Sequence, residues 1–121
     1  MILGLGLDVV SVARIASAME RFGERFLARC FRPEELLRPG DPQHVAGAFA
    51  AKEAALKALG TGWGQGIGFT HLLLTRDAFG KPSLVLLEAA AARARALGAG
   101  MVHLSITHTR DLAAAVVILC R

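Results

Sequence analysis

Residues 41–60, DPQHVAGAFAAKEAALKALG, contain the signals for both ends of a helix as well as its interior. Asp41 is suited to cap the helix, Pro42 fits its first position, and Gly60 fits its C-terminal cap. The interval between them is rich in Ala, Leu, Lys and Glu, which favour helix formation. Three apolar residues at helical spacing form a core stripe: Val45, Phe49 and Leu56. The segment therefore predicts a helix with one side in the core.

The residues before this helix predict one strand and further helices. Residues 2–7 form a short apolar run with two glycines, which predicts an extended strand that ends at Asp8. Residues 11–31 have apolar residues at helical spacing, with Gly23 as a possible break. Pro33 is suited to the first turn of a short helix that follows.

The residues after the central helix predict strands and one more helix. Glycine occupies every second position from 60 to 68, which fits a loop that approaches a ligand or, equally, a flexible connector. The predicted strands are residues 69–75, 83–86, 101–108 and 112–119, the last of them buried, and residues 88–97 are a helix closed by Gly98. This order predicts a single α+β domain over residues 1–121 with antiparallel hairpins.

Composition limits the classes of protein to consider. The chain has 121 residues, of which 54% are hydrophobic, so it can fill the interior of one domain and is not disordered. Its longest apolar run, residues 112–120, is much shorter than the about 20 residues that a membrane-spanning helix needs. We expect a cytoplasmic protein. The net charge of +4 suits an anionic partner, although many proteins with that balance bind none.

Two carboxylates are candidates for chemistry. Asp8, at the end of an apolar strand, requires compensation by a cation or else caps the helix that begins near Ser11. Glu53 lies at the margin of an apolar helical face, where it either enters a cleft or pairs with Lys57 one turn away. Carboxylates from two separate elements are the minimum set for Mg²⁺, which also binds phosphate oxygens and water. Lys52 and Lys57 could neutralise the same phosphates.

The last predicted hairpin carries imidazole and hydroxyl groups. His103 and His108 point to opposite faces of one strand, so they cannot bind a metal together. Residues 105–109, SITHT, could bind a phosphate or form an ordinary solvated hairpin end. No nucleophile elbow, phosphate-binding loop or dinucleotide fingerprint is present, which disfavours a hydrolase and the common nucleotide-binding folds.

Three separated segments resemble the holo-acyl-carrier-protein synthase family of phosphopantetheinyl transferases. They are residues 4–10 (GLGLDVV) with Arg14 and Ile15, residues 49–54 (FAAKEA) with residues 57–62 (KALGTG), and residues 105–109 (SITHT). Residues 69–82, which end in Gly-Lys-Pro, are also similar to the central hairpin of that family. The resemblance covers nearly the whole chain in the same order.

The resemblance implies an activity and a set of site residues. The activity is transfer of 4′-phosphopantetheine from coenzyme A to a serine of apo-acyl carrier protein, in fatty acid biosynthesis, with release of adenosine 3′,5′-bisphosphate. Asp8 and Glu53 would hold Mg²⁺ against the pyrophosphate of coenzyme A, and Lys57 would stabilise charge on the leaving group. The predicted coenzyme-binding positions are Lys52, Gly60, Gly62, His108 and Thr109.

The resemblance also implies an assembly and a partner surface. Members of the family are homotrimers with active sites between subunits, which fits the excess of apolar residues in this chain. An acidic carrier protein would dock near Arg14, although each arginine of the first helix could instead belong to a solvated charged face. Arg21 and Arg25 are further candidates.

Two positions depart from the family pattern. Ala48 stands where the family has an arginine that contacts coenzyme A, and Arg32 stands where a threonine is common. The loss at position 48 allows an alternative function, a module that binds coenzyme A or another nucleotide without chemistry. A nucleic-acid-binding domain is disfavoured because the six Phe and one Trp fall largely in apolar patterns.

Overall fold

Nine regular elements make up the computed structural model, which describes residues 1–61 and 66–121. In chain order they are β1 (Ile2–Ser11), α1 (Val12–Phe22), α2 (Glu24–Cys30), α3 (Pro42–Leu59), β2 (Leu72–Arg76), β3 (Pro82–Leu86), α4 (Glu88–Leu97), β4 (Met101–His108) and β5 (Leu112–Cys120). Short 3₁₀ turns lie at Pro33–Glu35 and Phe69–His71. The predicted α+β class is confirmed.

The predicted ends of the central helix and the predicted break at Gly23 are confirmed. The Asp41 side chain accepts a hydrogen bond from the Gln43 amide at 3.0 Å, and Gly60 ends α3 in the left-handed conformation with φ 73°. Gly23 separates α1 from α2 with φ 53°, a value that glycine adopts without strain. The basic residues of α1 and α2 therefore do not lie on one continuous helix.

The predicted end of the first strand at Asp8 is wrong. Strand β1 continues to Ser11 because its pairing with β5 continues: Asp8 lies opposite Ala115, and Ser11 lies opposite Leu112. The hydroxyl of Ser11 accepts the Arg14 amide at 3.3 Å and caps α1. Asp8 is therefore an interior residue of the strand and not a helix cap.

A three-stranded antiparallel sheet in the order β1-β5-β4 supports α3. Strands β2 and β3 form a separate antiparallel hairpin, and β3 packs beside β4. The predicted strand 69–75 begins instead with the 3₁₀ turn, so regular pairing starts at Leu72. Gly4 and Gly6 let β1 approach α3 closely, since a Cβ atom on Gly6 would lie 1.8 Å from the Ala54 carbonyl oxygen.

The other face of this sheet is apolar and open. Leu5, Leu7 and Val9 on β1 are each about 60% exposed. Strand β5 alternates, with Ala113, Ala115, Val117 and Leu119 buried and the residues between them half-buried. The prediction of a wholly buried last strand therefore holds for one of its faces. In the described part of the chain, no helix has the length and apolar character needed to span a membrane.

Candidate functional site

A cleft of about 550 Å³ opens between β1, α1 and α3. Its lining includes four of the predicted functional residues: Asp8, Arg14, Glu53 and Lys57. Phe26 and Phe49 form part of its apolar wall. The structure thus brings together residues that are far apart in the sequence.

The alternation of β1 explains why Asp8 faces this cleft. Side chains of a strand point alternately to its two faces, so Gly4, Gly6 and Asp8 all face α3. Because the two glycines allow the helix backbone to come close, the next inward side chain lies against the C-terminal half of α3. Glu53 and Lys57, one turn apart, come from that half.

An ion pair joins the strand to the helix. The Lys57 ammonium donates hydrogen bonds to the Asp8 Oδ1 atom at 3.1 Å and to the Leu7 carbonyl oxygen at 2.9 Å. The Asp8 side chain is 14% exposed and that of Lys57 is 54% exposed. Lys57 therefore neutralises Asp8 while its end stays open to the cleft. The predicted pair of Glu53 with Lys57 stays a prediction.

The second oxygen of Asp8 tests whether the cleft suits a metal ion. Asp8 Oδ2 is buried and has no hydrogen-bond partner among the described residues. A buried carboxylate oxygen without a donor is costly unless a cation lies against it. Residues 1–61 and 66–121 contain no cluster of three or more His, Cys, Asp or Glu that could hold a metal. The unpartnered Asp8 Oδ2 atom, in the cleft that Glu53 also lines, nevertheless fits Mg²⁺, which takes one or two carboxylates and completes its coordination with phosphate oxygens and water.

The predicted coenzyme-binding role of Lys52 is contradicted by its position. Lys52 is fully buried, and its ammonium donates to the carbonyl oxygens of Cys30 at 2.8 Å and Phe69 at 3.0 Å and to Glu35 Oε1 at 2.9 Å. All three of its donors are used inside the protein. Burial lowers the pKa of Lys52 below its ordinary value, while the hydrogen bond to Glu35 opposes that shift.

Glu35, the partner of Lys52, was not predicted as a functional residue from the sequence. Its Oε1 atom also accepts the Arg32 amide at 2.7 Å, and its Oε2 atom accepts the Leu74 amide at 2.7 Å. This network ties α3 to the 3₁₀ turn and to β2. The sequence did contain a signal that Lys52 is buried. Its helical spacing from Val45, Phe49 and Leu56 places it on the core stripe.

Three more of the predicted coenzyme-binding residues, Gly60, His108 and Thr109, lie outside the first cleft. Gly60 caps α3 beside Arg93, whose Nε donates to the Leu59 carbonyl oxygen at 2.9 Å. Thr109 lies in the turn between β4 and β5, and its hydroxyl accepts the Leu112 amide at 3.2 Å. Gly62 lies outside the described residues.

His108 lines a second cleft of about 340 Å³, and none of the described residues lines both clefts. This cleft lies between the N-terminal half of α3, the end of β4 and the β2–β3 hairpin. Its lining includes Arg38, His44, Ala48, Arg76 and His108. Position 48, where the family arginine is missing, thus faces a cleft that contains two other arginines.

His44 is a neutral residue in this basic surrounding. Its Nε2 atom accepts the Leu37 amide at 3.1 Å, which requires an unprotonated nitrogen. Burial, followed by the nearby Arg76 and Arg38 guanidinium groups, lowers the pKa of His44 from 6.5. His44 therefore positions the loop of Arg38 and adds no charge of its own.

Comparisons with known proteins agree with this architecture. The family model of the 4′-phosphopantetheinyl transferase superfamily matches residues 4–117. A holo-[acyl-carrier-protein] synthase of Solidesulfovibrio magneticus is 56% identical over 98% of each chain. The crystal structure of the Helicobacter pylori synthase with coenzyme A has a TM-score of 0.87 at 32% identity, covering 96% of this chain and 99% of that one. The Bacillus anthracis synthase, in complex with CoA (3′,5′-ADP), has a TM-score of 0.78 at 34% identity, covering 98% and 96%.

Proposed function

Because the chain belongs to the 4′-phosphopantetheinyl transferase superfamily, we propose that it transfers 4′-phosphopantetheine from coenzyme A to a serine of apo-acyl carrier protein. The observation that carries this proposal is the convergence of Asp8, Glu53 and Lys57 on one cleft. The coenzyme A complex of the Helicobacter pylori synthase supports the choice of donor. The names of the curated relatives support the choice of acceptor.

The reaction is a phosphoryl transfer. The serine oxygen forms a bond to the phosphorus that carries pantetheine, and the bond from that phosphorus to the bridging pyrophosphate oxygen breaks. The electron pair of the broken bond leaves with adenosine 3′,5′-bisphosphate. The serine proton passes to a carboxylate of the cleft, and Asp8 and Glu53 are the two candidates. The protein mainly positions the reactants and stabilises the developing charge.

Charge in the first cleft suits this step. Lys57 Nζ, already held by Leu7 and Asp8, stabilises negative charge on the pyrophosphate and the leaving oxygen. Mg²⁺, held by Asp8 and Glu53, would supply further neutralisation of the pyrophosphate. The apolar wall formed by Phe26 and Phe49 limits water in the cleft.

The assembly that we propose is a homotrimer with its active sites between subunits. Candidate residues for coenzyme A line two separate clefts, with Asp8, Glu53 and Lys57 in the first and His108 in the second. A head-to-tail contact that places the second cleft of one copy against the first cleft of another generates a closed trimer when each copy is rotated by about 120° from the last. The open apolar face of the β1-β5-β4 sheet, about 60% exposed at Leu5, Leu7 and Val9, supports burial in such a contact. We also propose that the trimer acts in the cytoplasm.

The carrier protein docks at the basic end of the first cleft in this proposal. Arg14 is exposed on α1 and lines the cleft beside the reacting groups. Arg14→Glu should raise KM for the carrier protein roughly tenfold and leave KM for coenzyme A nearly unchanged. The same charge reversal at Arg95, on exposed α4, is the matched control. Equal effects on both substrates would place docking elsewhere.

One experiment tests the activity itself. The protein is incubated with coenzyme A, Mg²⁺ and apo-carrier protein, and the intact mass of the carrier protein is measured. We expect the mass of one phosphopantetheine group to be added, and addition to stop when the metal is chelated. Asp8→Asn and Glu53→Gln should each lower kcat/KM by about 10²- to 10³-fold, whereas Glu34→Gln, at an exposed position, should not.

The same assay decides between an enzyme and a binding module. Binding of coenzyme A without any modification of the carrier protein would favour the module. Full activity of both carboxylate variants would remove the proposed metal site.

A further inference from the structure

A buried lysine joins three other segments of the chain to α3. Lys52 is 0% exposed, and its ammonium donates to the carbonyl oxygens of Cys30 at 2.8 Å and Phe69 at 3.0 Å. Glu35 supplies the third acceptor, with its Oε2 atom at 2.8 Å. Cys30 is the last residue of α2, Phe69 begins the 3₁₀ turn before β2, and Glu35 ends the earlier 3₁₀ turn. The position of each segment relative to α3 is therefore set by one ammonium group.

Stability alone does not account for a charged residue at this position. The desolvation of two buried charges offsets much of their attraction, and apolar residues of similar volume often give equal or greater stability. Lys52 also lies on the core stripe, where an apolar residue would pack. What the ammonium adds is a set of hydrogen bonds of fixed length and direction to particular backbone oxygens. Those bonds determine where the joined segments lie.

Helix α2 depends on such a bond because its packing against α3 leaves open space. A cavity of about 350 Å³ lies between the two helices, and its lining includes Phe26, Arg29 and Cys30 of α2 and Phe49 of α3. Helix α2 has only seven residues. A cation at the C-terminal carbonyl groups of a helix also interacts favourably with the helix dipole. The bond from Lys52 to the Cys30 carbonyl oxygen therefore fixes the distance between α2 and α3.

The first cleft lies beside these contacts. Phe26, one turn before Cys30 on α2, forms part of its apolar wall, and Glu53 follows Lys52 directly on α3. Successive residues of an α-helix are turned by about 100°, so the direction in which Lys52 is held also fixes the direction of Glu53. On its other side, α3 is fixed by the close approach of Gly6 on β1. A rotation of α3 or a shift of α2 would therefore change the shape of the cleft.

We propose that Lys52 is a positioning residue, which holds Glu53 and the Phe26 wall in place in the first cleft. This inference rests on the proposed function. Lys52 is fully buried and its three donors are used inside the protein, so it touches no reactant. Its loss should lower the rate of transfer by displacing groups that act in the cleft, and should leave substrate binding nearly intact. A displacement of about 1 Å can reduce turnover by about 10²-fold.

Steady-state kinetics separates positioning from stability. The double variant Lys52→Met/Glu35→Gln removes both charges, so no uncompensated charge stays in the core. We expect kcat to fall about 10- to 100-fold, with KM for coenzyme A and for the carrier protein changed less than about threefold. Lys52→Met alone should be less stable and show the same fall in kcat.

Leu119→Ala is the control for stability, because Leu119 is 1% exposed on β5 and makes none of these hydrogen bonds. The cavity that it leaves should lower the urea midpoint of unfolding. Its kcat should nevertheless stay within about twofold of the wild-type value under conditions in which the protein is folded.

Alkylation of Cys30 gives a measurement that does not depend on turnover. Burial raises the pKa of the Cys30 thiol to about 11, and the Lys52 ammonium opposes that shift. Iodoacetamide at pH 8 should leave Cys30 unmodified in the wild-type protein and in Leu119→Ala, and peptide mass spectrometry distinguishes it from Cys120. Release of α2 in the double variant should raise the rate of alkylation by about tenfold or more. Loss of the ammonium alone would slow the reaction, because a positive charge favours the thiolate.

Several outcomes would overturn the inference. A wild-type kcat in the double variant, or continued protection of its Cys30 thiol, would make Lys52 a residue of stability only. Equal losses of kcat in the double variant and in Leu119→Ala, or failure of both Lys52 variants to fold, would lead to the same conclusion. Absence of transfer by the wild-type protein would reject the proposed function, while alkylation of Cys30 would still show whether Lys52 holds α2 in place.

Discussion

Gly6→Ala should damage both the stability and the proposed site of this protein. A Cβ atom at position 6 would lie 1.8 Å from the Ala54 carbonyl oxygen and 2.7 Å from the Ala58 nitrogen. Both are backbone atoms of α3, so no side chain can rotate away. A carbon atom makes ordinary van der Waals contact with such atoms at a distance of about 3.5 Å. Strand β1 and helix α3 must therefore move apart by roughly 1.5 Å.

The loss of stability is large because β1 and α3 separate inside the core. Overpacking a core costs typically 1–3 kcal/mol, and a clash with a rigid backbone belongs at the upper end, about 3 kcal/mol or more. That is a large part of the total stability of about 5–15 kcal/mol that a domain has. Asp8 follows Gly6 by two residues and Glu53 precedes Ala54, so the same shift moves the two carboxylates apart. A displacement of about 1 Å can reduce turnover by about 10²-fold even in the folded fraction.

Urea unfolding at matched protein concentration measures the first effect, and the carrier-protein assay measures the second. Gly40→Ala is the matched control because a Cβ atom there would meet nothing within 4 Å. It should change the free energy of unfolding by less than about 0.5 kcal/mol. A Gly6→Ala protein as stable and as active as Gly40→Ala would refute the close contact between β1 and α3.

Three further changes test the buried polar groups. Lys52→Met should cost about 3–5 kcal/mol of unfolding free energy, because Glu35 would remain buried without its ammonium partner. Lys57→Met should cost less, about 1 kcal/mol, because the Lys57 side chain of its pair with Asp8 is 54% exposed. The pKa of His44 is lowered from 6.5 by burial, so the unfolded chain binds a proton that the folded protein resists, and stability should fall below pH 6.5. His44→Gln should make this fall less steep in urea titrations at pH 7 and pH 5. Burial raises the pKa of Cys30 to about 11, so its thiol should stay unmodified by iodoacetamide at pH 8 until urea unfolds the protein.

Local signals in the sequence were sufficient for the helices. The caps at Asp41 and Gly60 and the break at Gly23 depend on the residue itself and on its nearest neighbours, and all three were predicted correctly. The length of β1 depends on its pairing with β5, whose residues lie more than a hundred positions away in the sequence. The polarity of Asp8 therefore predicted the wrong end for the strand. Pairing between distant strands has no local signature.

Charge alone was a poor guide to the position of the lysines. Lys52 and Lys57 lie on the same helix and were assigned the same phosphates, yet one is buried against Glu35 and the other opens to the cleft. Helical spacing separates them, because position 52 follows Val45 and Phe49 on the core stripe. The partner that makes burial possible comes from a turn 17 residues away, which periodicity does not show.

The segment GLGLD in residues 4–8 couples packing to chemistry through the two-residue period of a strand. Because side chains alternate, the residues at 4, 6 and 8 must share one face. Glycine at the first two positions brings the backbone of α3 into contact, and the third position is then the first inward side chain with room to extend. An aspartate at position 7 or 9 would lie on the opposite face, where Leu7 and Val9 are exposed. The same spacing that allows the helix to pack therefore also fixes which residue can meet Lys57.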